Sequence, residues 1–297
     1  MKNLISLLLM TFLFTGFQSV KAQDLSPYVK VGDASTDINQ TSSKVKSALQ
    51  ENGFDIIGEY LVENNKNLKV IVYSRKDLQS TVLKVKDRGA LAAALKVGLK
   101  ANGANTTISY LNPAYLFNAY LGDDYTKHQA ALQKVEKDVA ATLSALGNEN
   151  KGFGGSISVK KLRKYQYKMM MPYFSDPVEL KEFSSFEEGV KVIENNLSAK
   201  KGNTGLVYKL KFSSDQVAVY GVALMDSDKG EKFFLPIIDN SHLAAMPYEI
   251  ILQGKTATML HGRYRFALHW PELTMGTFMK IMSTPGDVED AMKGLCK

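Results

Sequence analysis

The sequence predicts an α+β fold of two similar domains, each a mainly antiparallel sheet with helices packed on one face. Paired strand patterns joined by polar turns follow helical patterns, and this succession occurs twice along the chain. The length of 297 residues is close to two domains of about 150 residues each. Hydrophobic residues at 45% and charged residues at 23% are ordinary globular usage, which argues against a disordered or disulfide-stapled chain.

The first 22 residues are typical of a secretory signal peptide. Lys2 supplies a positive charge, Leu4–Phe17 is a mainly apolar run, and Val20–Ala22 offers small residues for cleavage. The apolar run is shorter than the about 20 residues that a membrane span needs. We therefore expect cleavage after Ala22, export to the periplasm or the extracellular space, and no membrane span in the mature chain.

The charge of the chain does not favour a nucleic-acid partner. The net charge of +7 falls to +5 when Lys2 and Lys21 leave with the signal peptide. The basic run Lys160–Lys164, followed by Tyr165 and Tyr167, has the composition of a phosphate-binding surface. Lysines on a solvated strand edge, where they discourage edge-to-edge pairing, are the interpretation that we prefer for an exported protein.

The first copy of the predicted unit begins with a helix that includes Val45–Leu49 and ends near Gly53. Phe54–Val62 and Leu68–Tyr73 are predicted strands, because apolar and β-branched residues are enriched in both. The polar turn Glu63–Asn67 joins them into a hairpin. The first copy is therefore predicted to run from a helix into two antiparallel strands.

The second copy repeats this order. A predicted helix that begins at Val190–Ile193 ends near Gly202, and the strands Leu206–Phe212 and Gln216–Leu224 follow it. The polar residues Ser213–Asp215 form the turn between these strands. Corresponding positions in the two copies are separated by a nearly constant interval, which indicates an internal duplication.

Each copy is then predicted to continue with a strand that runs into proline and a helix. Asn112–Pro113 and Trp270–Pro271 mark these junctions, because proline suits the first turn of a helix. Helices at Gln129–Leu146 and Val288–Leu295 close the two copies. The further predicted strands are Thr106–Leu111, Tyr165–Met171, Lys232–Ile238, Tyr248–Leu252, Thr256–Leu260 and Tyr264–Leu268.

A glycine-rich polar segment separates the two copies. It predicts a linker at 148–156, between a first domain at 27–147 and a diverged second domain at 157–297. The glycines also suggest a phosphate-binding loop, but the sequence has no GxxxxGK[ST] motif and predicts no strand leading into them. The linker is the preferred interpretation.

The segment Val45–Leu61 is a helix that ends in Asn52–Phe54 before a strand, and Leu111–Pro113 is followed by the apolar residues Leu116, Ala119 and Leu121. In these segments the first half resembles the uncharacterised DUF302 domain family. The second half resembles a degenerate tandem copy, in which Trp270–Pro271 replaces Asn-Pro. The resemblance implies a small α+β domain and supplies no established activity or catalytic residue.

The segment 261–270 is the strongest candidate for ligand binding. It brings two imidazoles, two guanidiniums and the only tryptophan together around one predicted strand, a set that suits an anionic or aromatic ligand. The alternative is an amphipathic strand with Tyr264, Phe266 and Leu268 in the core and both arginines in water. The candidate residues are His261, Arg263, Arg265, His269 and Trp270.

A second candidate group flanks the strand-proline-helix junction of the first copy. Asn112, Tyr115 and Asn118 carry polar side chains there, where they would contact a ligand or cap the helix. These residues and the 261–270 segment occupy the predicted equivalent junctions of the two copies.

The sequence predicts no catalytic residue, metal site or cofactor. His261 and His269 would lie about 26 Å apart on one strand, whereas metal ligands share an ion at about 2 Å. The sequence has no GxSxG elbow, and Asp239–His242 has the composition of a turn. Cys296 is the only cysteine, so no intramolecular disulfide forms.

These observations favour an exported binding or interaction protein that uses the inter-domain crevice or a sheet face. Its predicted partner is an unknown small molecule or an envelope protein, and no nucleic acid. The alternatives are an uncharacterised hydrolase with a site near His261–Trp270 and a structural protein of the envelope. The sequence leaves enzymatic activity open.

Overall fold

The computed structural model describes residues 24–297, so the predicted signal peptide at 1–22 lies outside the described residues. The described chain is α+β, with antiparallel sheets and packed helices, as predicted. Within residues 24–297, no helix combines the length and the apolar character that crossing a bilayer requires.

The described part of the first half contains a hairpin-rich sheet and several helices. Its elements in chain order are β1 (Asp24–Leu25), β2 (Tyr28–Ala34), α1 (Ile38–Glu51), β3 (Asp55–Leu61), β4 (Leu68–Ser74), α2 (Lys76–Val82), β5 (Leu95–Asn102), β6 (Asn105–Leu111), α3 (Pro113–Leu121) and α4 (Gln129–Ser144). The short elements β7 (Lys151–Phe153), β8 (Ile157–Ser158) and α5 (Val159–Leu162) follow. The 3-10 segments of this half are Val62–Asn64, Gly89–Ala93 and Gly122–His128.

The second half repeats the same kinds of element. They are β9 (Val178–Glu182), α6 (Phe186–Ser198), β10 (Thr204–Phe212), β11 (Val217–Leu224), α7 (Glu231–Ile238), β12 (Tyr248–Gln253), β13 (Thr256–Met259), α8 (Gly262–His269), α9 (Met275–Phe278) and α10 (Thr284–Leu295). Its 3-10 segments are Ser213–Asp215, Leu243–Ala245 and Met279–Ile281.

The two large sheets have the same strand order. The first sheet is β3-β4-β5-β6-β2-β7 and the second is β10-β11-β12-β13-β9, with every neighbouring pair antiparallel. When β9 is matched with β2 and β10–β13 with β3–β6, the orders coincide except for the added β7. The prediction of two similar units, each with a mainly antiparallel sheet, is confirmed.

Local capping explains where the first helix of each unit begins. Asp37 accepts hydrogen bonds from the backbone N–H groups of Asn39 and Gln40 at the start of α1. Ser185 accepts from the N–H of Glu188 at the start of α6, and the Glu188 carboxylate accepts from the N–H of Ser184. Such reciprocal bonds satisfy donors that have no partner within the helix.

Three predicted strands are wrong. Lys232–Ile238 falls in helix α7, and Tyr264–Leu268 falls in helix α8. Helix α8 is buried on most of its circumference, so its sequence lacks the polar face that normally identifies a helix. Its apolar residues at alternate positions therefore also fit the pattern of a strand. Tyr165–Met171 forms turns instead, and the Gln166 side chain closes one of them by donating to the Met171 carbonyl oxygen at 2.7 Å.

The predicted junction at Trp270–Pro271 is displaced. The helix that corresponds in chain order to α3 is α8, and it begins at Gly262, after β13. Trp270–Pro271 lies at the end of this helix, where proline cannot continue it. In the first copy the prediction is confirmed, because Asn112 caps α3 and Pro113 is its first residue.

The two halves pack against each other reciprocally. The 3-10 segment Gly89–Ala93 of the first half contacts β11 and β12, and Leu243–Ala245 of the second half contacts β4, β5 and β6. Strands β3 and β10 also meet, so closely that a Cβ added to Gly58 would overlap the Val207 carbonyl oxygen. Glycine is therefore required at this contact.

The segment predicted as a linker contributes to the first sheet. Lys151–Phe153 within it forms β7, which pairs with β2. Just beyond it, β8 pairs with β1, so the connection between the halves is held by strand pairing. The domain limits themselves stay a prediction.

Candidate functional site

The predicted ligand-binding cluster lies on helix α8 and at its two ends. His261 is the N-cap residue, and its Nδ1 accepts a hydrogen bond from the Arg263 backbone N–H at 3.2 Å. Burial and the neighbouring Arg263 charge lower the pKa of His261, which favours the neutral ring that this acceptor role needs. His261 therefore stabilises the start of the helix, and the Arg263 side chain is exposed.

Arg265 is buried, which contradicts the alternative that placed it in water. Its Nη2 donates to the carbonyl oxygens of Ala245 and Pro247. The guanidinium carbon lies 3.6 Å from the centre of the Tyr248 ring, and Nε lies 4.0 Å from the Glu249 carboxylate. Arg265 thus ties helix α8 to the start of β12, as a cation held by carbonyl, aromatic and carboxylate groups.

Both ring nitrogens of His269 are engaged within the core. The Tyr28 hydroxyl lies 3.2 Å from Nδ1, and the Tyr120 hydroxyl lies 3.3 Å from Nε2. Burial holds the pKa of His269 well below its ordinary value, and the positive charges of Arg265 and Lys96 act in the same direction. This buried, neutral ring gives no support to the hydrolase alternative.

Four side chains satisfy carbonyl groups at the C-terminal end of α8, where a helix has no partners of its own. The donors come from four separate segments of the chain and include Tyr115, one of the predicted site residues. Tyr165 donates to the Ala267 oxygen at 2.7 Å and Tyr115 to the Leu268 oxygen at 2.7 Å, while Tyr28 at 3.1 Å and His242 Nδ1 at 2.9 Å bond the His269 oxygen. Tyr115 therefore holds α3 against α8.

Asn112 and Asn118 also have structural contacts. Asn112 accepts from the Ala114 N–H at 3.1 Å and donates to the Ser26 carbonyl oxygen at 2.9 Å. Asn118 donates to the Ala114 carbonyl oxygen at 2.8 Å and accepts from Arg163 Nε at 2.8 Å. These contacts match the capping interpretation better than contact with a ligand.

Trp270 lies between a turn and the surface. Its indole N–H donates to the Asp239 carbonyl oxygen at 3.3 Å, and its ring stacks on His242 with 5.7 Å between centroids. Ser241 donates to the Asp239 carboxylate through both its N–H and its hydroxyl, so this segment forms a turn. Within residues 24–297, no group of three or more His, Cys, Asp or Glu side chains is placed to hold a metal ion.

The other side of Trp270 lines a surface cleft of about 360 Å³, which we call the methionine cleft. This volume lies within the range of about 300–1,000 Å³ that is usual for small-molecule sites. The residues come from the turns after α5, from helix α8 and from the region between α8 and α10. They are Tyr167, Lys168, Met169, Met171, Arg263, Phe266, Ala267, Trp270, Leu273, Met275, Phe278 and Met282.

Among the described residues, three of the four methionines that line the cleft are unusually exposed. Met169 is 86% exposed, Met275 56% and Met282 60%, whereas methionine is among the more often buried residue types. Grouped apolar side chains at a surface mark a binding site more often than isolated ones do. Methionine also adapts its shape to a ligand, because its side chain is unbranched and flexible.

The cleft is electropositive. Its two charged lining residues are Lys168 and Arg263, and no Asp or Glu of the described chain lines it. Both cations are exposed, and Lys168 Nζ lies 5.4 Å from the centre of the Tyr167 ring. The cleft therefore presents an apolar wall beside two positive charges.

The cleft includes only part of the predicted site. Arg263 and Trp270 line it, while the remaining predicted residues stabilise helices or the core. The methionines were not predicted, because their alternation in Tyr165–Met171 suggested a buried strand face. Two features of the sequence could have indicated the cleft. One is the run of methionines Met169–Met171, and the other is the helical spacing of Met275, Met279 and Met282, which places them on one side of a helical region.

No protein-family model matches the chain, and no curated protein matches it either. Among solved structures, the chain is similar to the crystal structure of an uncharacterised conserved DUF302 protein from Bacillus stearothermophilus. The two are 17% identical with a TM-score of 0.35, over 40% of this chain and 98% of the other. At this level the likeness says nothing about ligand or activity.

Proposed function

We propose that this protein binds a small anionic amphiphile, an alkyl chain with a carboxylate-type head group, in the methionine cleft. The observation that carries the proposal is the apolar wall beside Lys168 and Arg263, in a cleft that no described carboxylate lines. The alkyl chain contacts the thioether and aromatic groups, and the head group accepts hydrogen bonds from the two cations.

The apolar wall supplies most of the affinity. Transfer of each alkyl CH₂ group from water contributes about 0.8 kcal/mol when the group is fully buried. Trp270 and Phe266 are buried at the base of the cleft and present rigid surfaces. The exposed Met275 and Met282 adapt their shape to the alkyl chain of the ligand. Such a wall accepts alkyl chains without selecting one exact shape.

The cations supply selectivity for charge. Arg263 presents a planar fork that matches a carboxylate, and Lys168 acts as a point charge. Because both side chains are exposed, each contact contributes only about 0–1 kcal/mol. The head group of the ligand therefore determines the preference for anions, and the alkyl chain of the ligand determines the overall affinity.

The pattern of residues 1–22 supports the proposal that binding takes place outside the cytoplasm, in the periplasm or the extracellular space. Membership of the DUF302 family rests on Val45–Leu61 and Leu111–Pro113 and stays a prediction. The division into domains at 27–147 and 157–297 is likewise proposed from the sequence.

Calorimetric titration with two amphiphiles of the same chain and opposite charge tests the proposal. We expect dodecanoate to bind more tightly than dodecyltrimethylammonium by about tenfold, below the concentrations at which either forms micelles. The double variant Lys168→Gln/Arg263→Gln should bind the two ligands equally. The matched control Lys44→Gln/Lys76→Gln removes the same charge from exposed positions outside the cleft and should leave the preference unchanged.

Two results would contradict the proposal. The first is the absence of dodecanoate binding to the unmodified protein. The second is an equal loss of dodecanoate affinity in the cleft variant and in the Lys44/Lys76 control, which would show a response to net charge alone.

A further inference from the structure

Within residues 24–297, four thioether sulfurs line the methionine cleft, from Met169, Met171, Met275 and Met282. Leucine would supply a similar apolar surface, so binding of an alkyl chain alone does not require sulfur. Only the thioether accepts an oxygen atom and becomes a polar, chiral sulfoxide. The thioether groups therefore make the cleft oxidisable as well as apolar.

Access to an oxidant differs sharply among the methionines of the chain. Met169, Met275 and Met282 are more than half exposed, whereas Met246, Met259 and Met292 are at most 1% exposed. A small oxidant in water reaches the first group directly and reaches the second only when the core opens. The buried methionines therefore serve as an internal reference for the reactivity of the cleft.

We propose that the methionine cleft is a modification site, in which a peroxide oxidises the lining methionines to sulfoxides and so releases the bound amphiphile. This inference rests on the proposed function. The sulfur lone pair attacks one oxygen of hydrogen peroxide, and the O–O bond breaks. The proton of the transferred hydroxyl passes to the leaving hydroxide, so that sulfur loses two electrons, the peroxide gains them, and the products are sulfoxide and water.

Oxidation opposes amphiphile binding in two ways. The sulfoxide oxygen is a strong acceptor whose desolvation against an alkyl chain costs free energy. The same oxygen, placed beside Arg263 or Lys168, competes with the ligand head group for their N–H donors. Both the apolar and the charged part of the recognition are therefore weakened.

Peptide mass spectrometry after exposure to hydrogen peroxide tests the selectivity of the reaction in the intact chain. We expect the peptides with Met169, Met275 and Met282 to gain oxygen at least about tenfold faster than those with Met246, Met259 or Met292. Equal rates in the two groups would overturn the inference. Saturating dodecanoate should slow oxidation of the cleft methionines alone.

Titration with dodecanoate before and after peroxide treatment tests the consequence for binding. The unmodified protein should lose affinity by about tenfold or more on oxidation. The variant Met169→Leu/Met171→Leu/Met275→Leu/Met282→Leu keeps the apolar wall, so it should bind at nearly the original affinity and should not respond to peroxide. The variant Met275→Gln/Met282→Gln imitates polar sulfoxides and should bind weakly without any oxidant.

The outcomes separate the two proposals. If the unmodified protein binds no dodecanoate, the proposed function fails, and the inference about ligand release fails with it. If dodecanoate binds but oxidised protein binds it equally well, the proposed function stands and the modification site is refuted. A peroxide-induced loss of affinity in the leucine variant would also refute it, because the responsible residue would lie outside the cleft.

Discussion

At the scale of single residues, Glu231 is a carboxyl group buried at the first turn of helix α7. It accepts hydrogen bonds from the Tyr60 hydroxyl at 2.9 Å and from the backbone N–H groups of Glu63 and Leu224 at 3.3 Å. Burial raises the pKa of Glu231 from 4.5 to about 7, although these donors oppose the shift. The folded protein therefore holds a proton on Glu231 more tightly than the unfolded chain does.

This pKa predicts that the stabilising contribution of Glu231 is complete below about pH 4.5 and is lost as the pH rises through about 7. The variant Glu231→Gln carries an uncharged amide that does not titrate. Urea unfolding of both proteins between these pH values should show the unmodified protein losing about 3 kcal/mol relative to the variant. A difference that stays constant over this interval would contradict the assigned burial effect.

Lys96 and Glu249 form a buried ion pair between strands β5 and β12 of the two halves. Removal of the cation by Lys96→Met leaves a buried carboxylate, and among residues 24–297 the Arg265 Nε at 4.0 Å is the one remaining cationic group close enough to compensate partly. We expect a loss of about 3 kcal/mol in the free energy of unfolding. The control Lys255→Met, from an exposed pair with Glu182, should cost at most about 1 kcal/mol.

At the scale of secondary-structure elements, helix α8 depends on hydroxyl groups from other segments. The variant Tyr115→Phe removes the donor to the Leu268 carbonyl oxygen and leaves that oxygen buried without it. We expect a loss of about 1–3 kcal/mol in thermal or urea unfolding. Tyr173→Phe, which removes an exposed hydroxyl bonded to Gln166, should change stability little; an equal loss there would contradict this role for Tyr115.

Prediction from the sequence succeeded where the signal was local. The hairpins β3–β4 and β10–β11 and the cap at Asn112 follow from polar turns and capping residues close in sequence. It failed at helix α8, because burial on several sides removes the polar face that distinguishes a helix. It also failed at helix α7, where the apolar Phe233 and Ile237 lie outside the buried stripe and obscure the helical pattern in the sequence. Tertiary packing, not local propensity, decides these segments.

In the candidate site, too, some residues were predicted from the sequence, whereas others became visible only in the fold. Arg263 and Trp270 were predicted from their chemistry, and both line the methionine cleft. Met169 and Met171 lie about a hundred residues earlier in the chain than Met275 and Met282. No spacing rule connects such distant segments, so the cleft became visible only when the fold brought them together.

At the scale of the whole molecule, the two units share one core. The 3-10 segment Gly89–Ala93 packs on the sheet of the second unit, and Leu243–Ala245 packs on the sheet of the first unit. The edge strands β3 and β10 of the two sheets meet at Gly58. The reciprocal contacts resemble those of a twofold interface, in which the same surface is used by both partners. Each half therefore buries residues against the sheet of the other half.

This sharing predicts that the halves unfold together. Trp270, the only tryptophan, reports on the second half through its fluorescence, and far-ultraviolet circular dichroism reports on both halves. The two signals should follow one urea transition with the same midpoint. A dichroism transition in two steps, with fluorescence following only one of them, would show that the units unfold independently.

Amphiphile binding in the methionine cleft is the central claim, and nuclear magnetic resonance of protein labelled at the methionine methyl groups tests it most directly. Addition of dodecanoate should shift the methyl resonances of Met169, Met171, Met275 and Met282, which line the cleft. The resonances of the buried Met246, Met259 and Met292 should stay in place. Saturable shifts at the buried methionines without shifts at the cleft methionines, or no shifts at all, would contradict the claim.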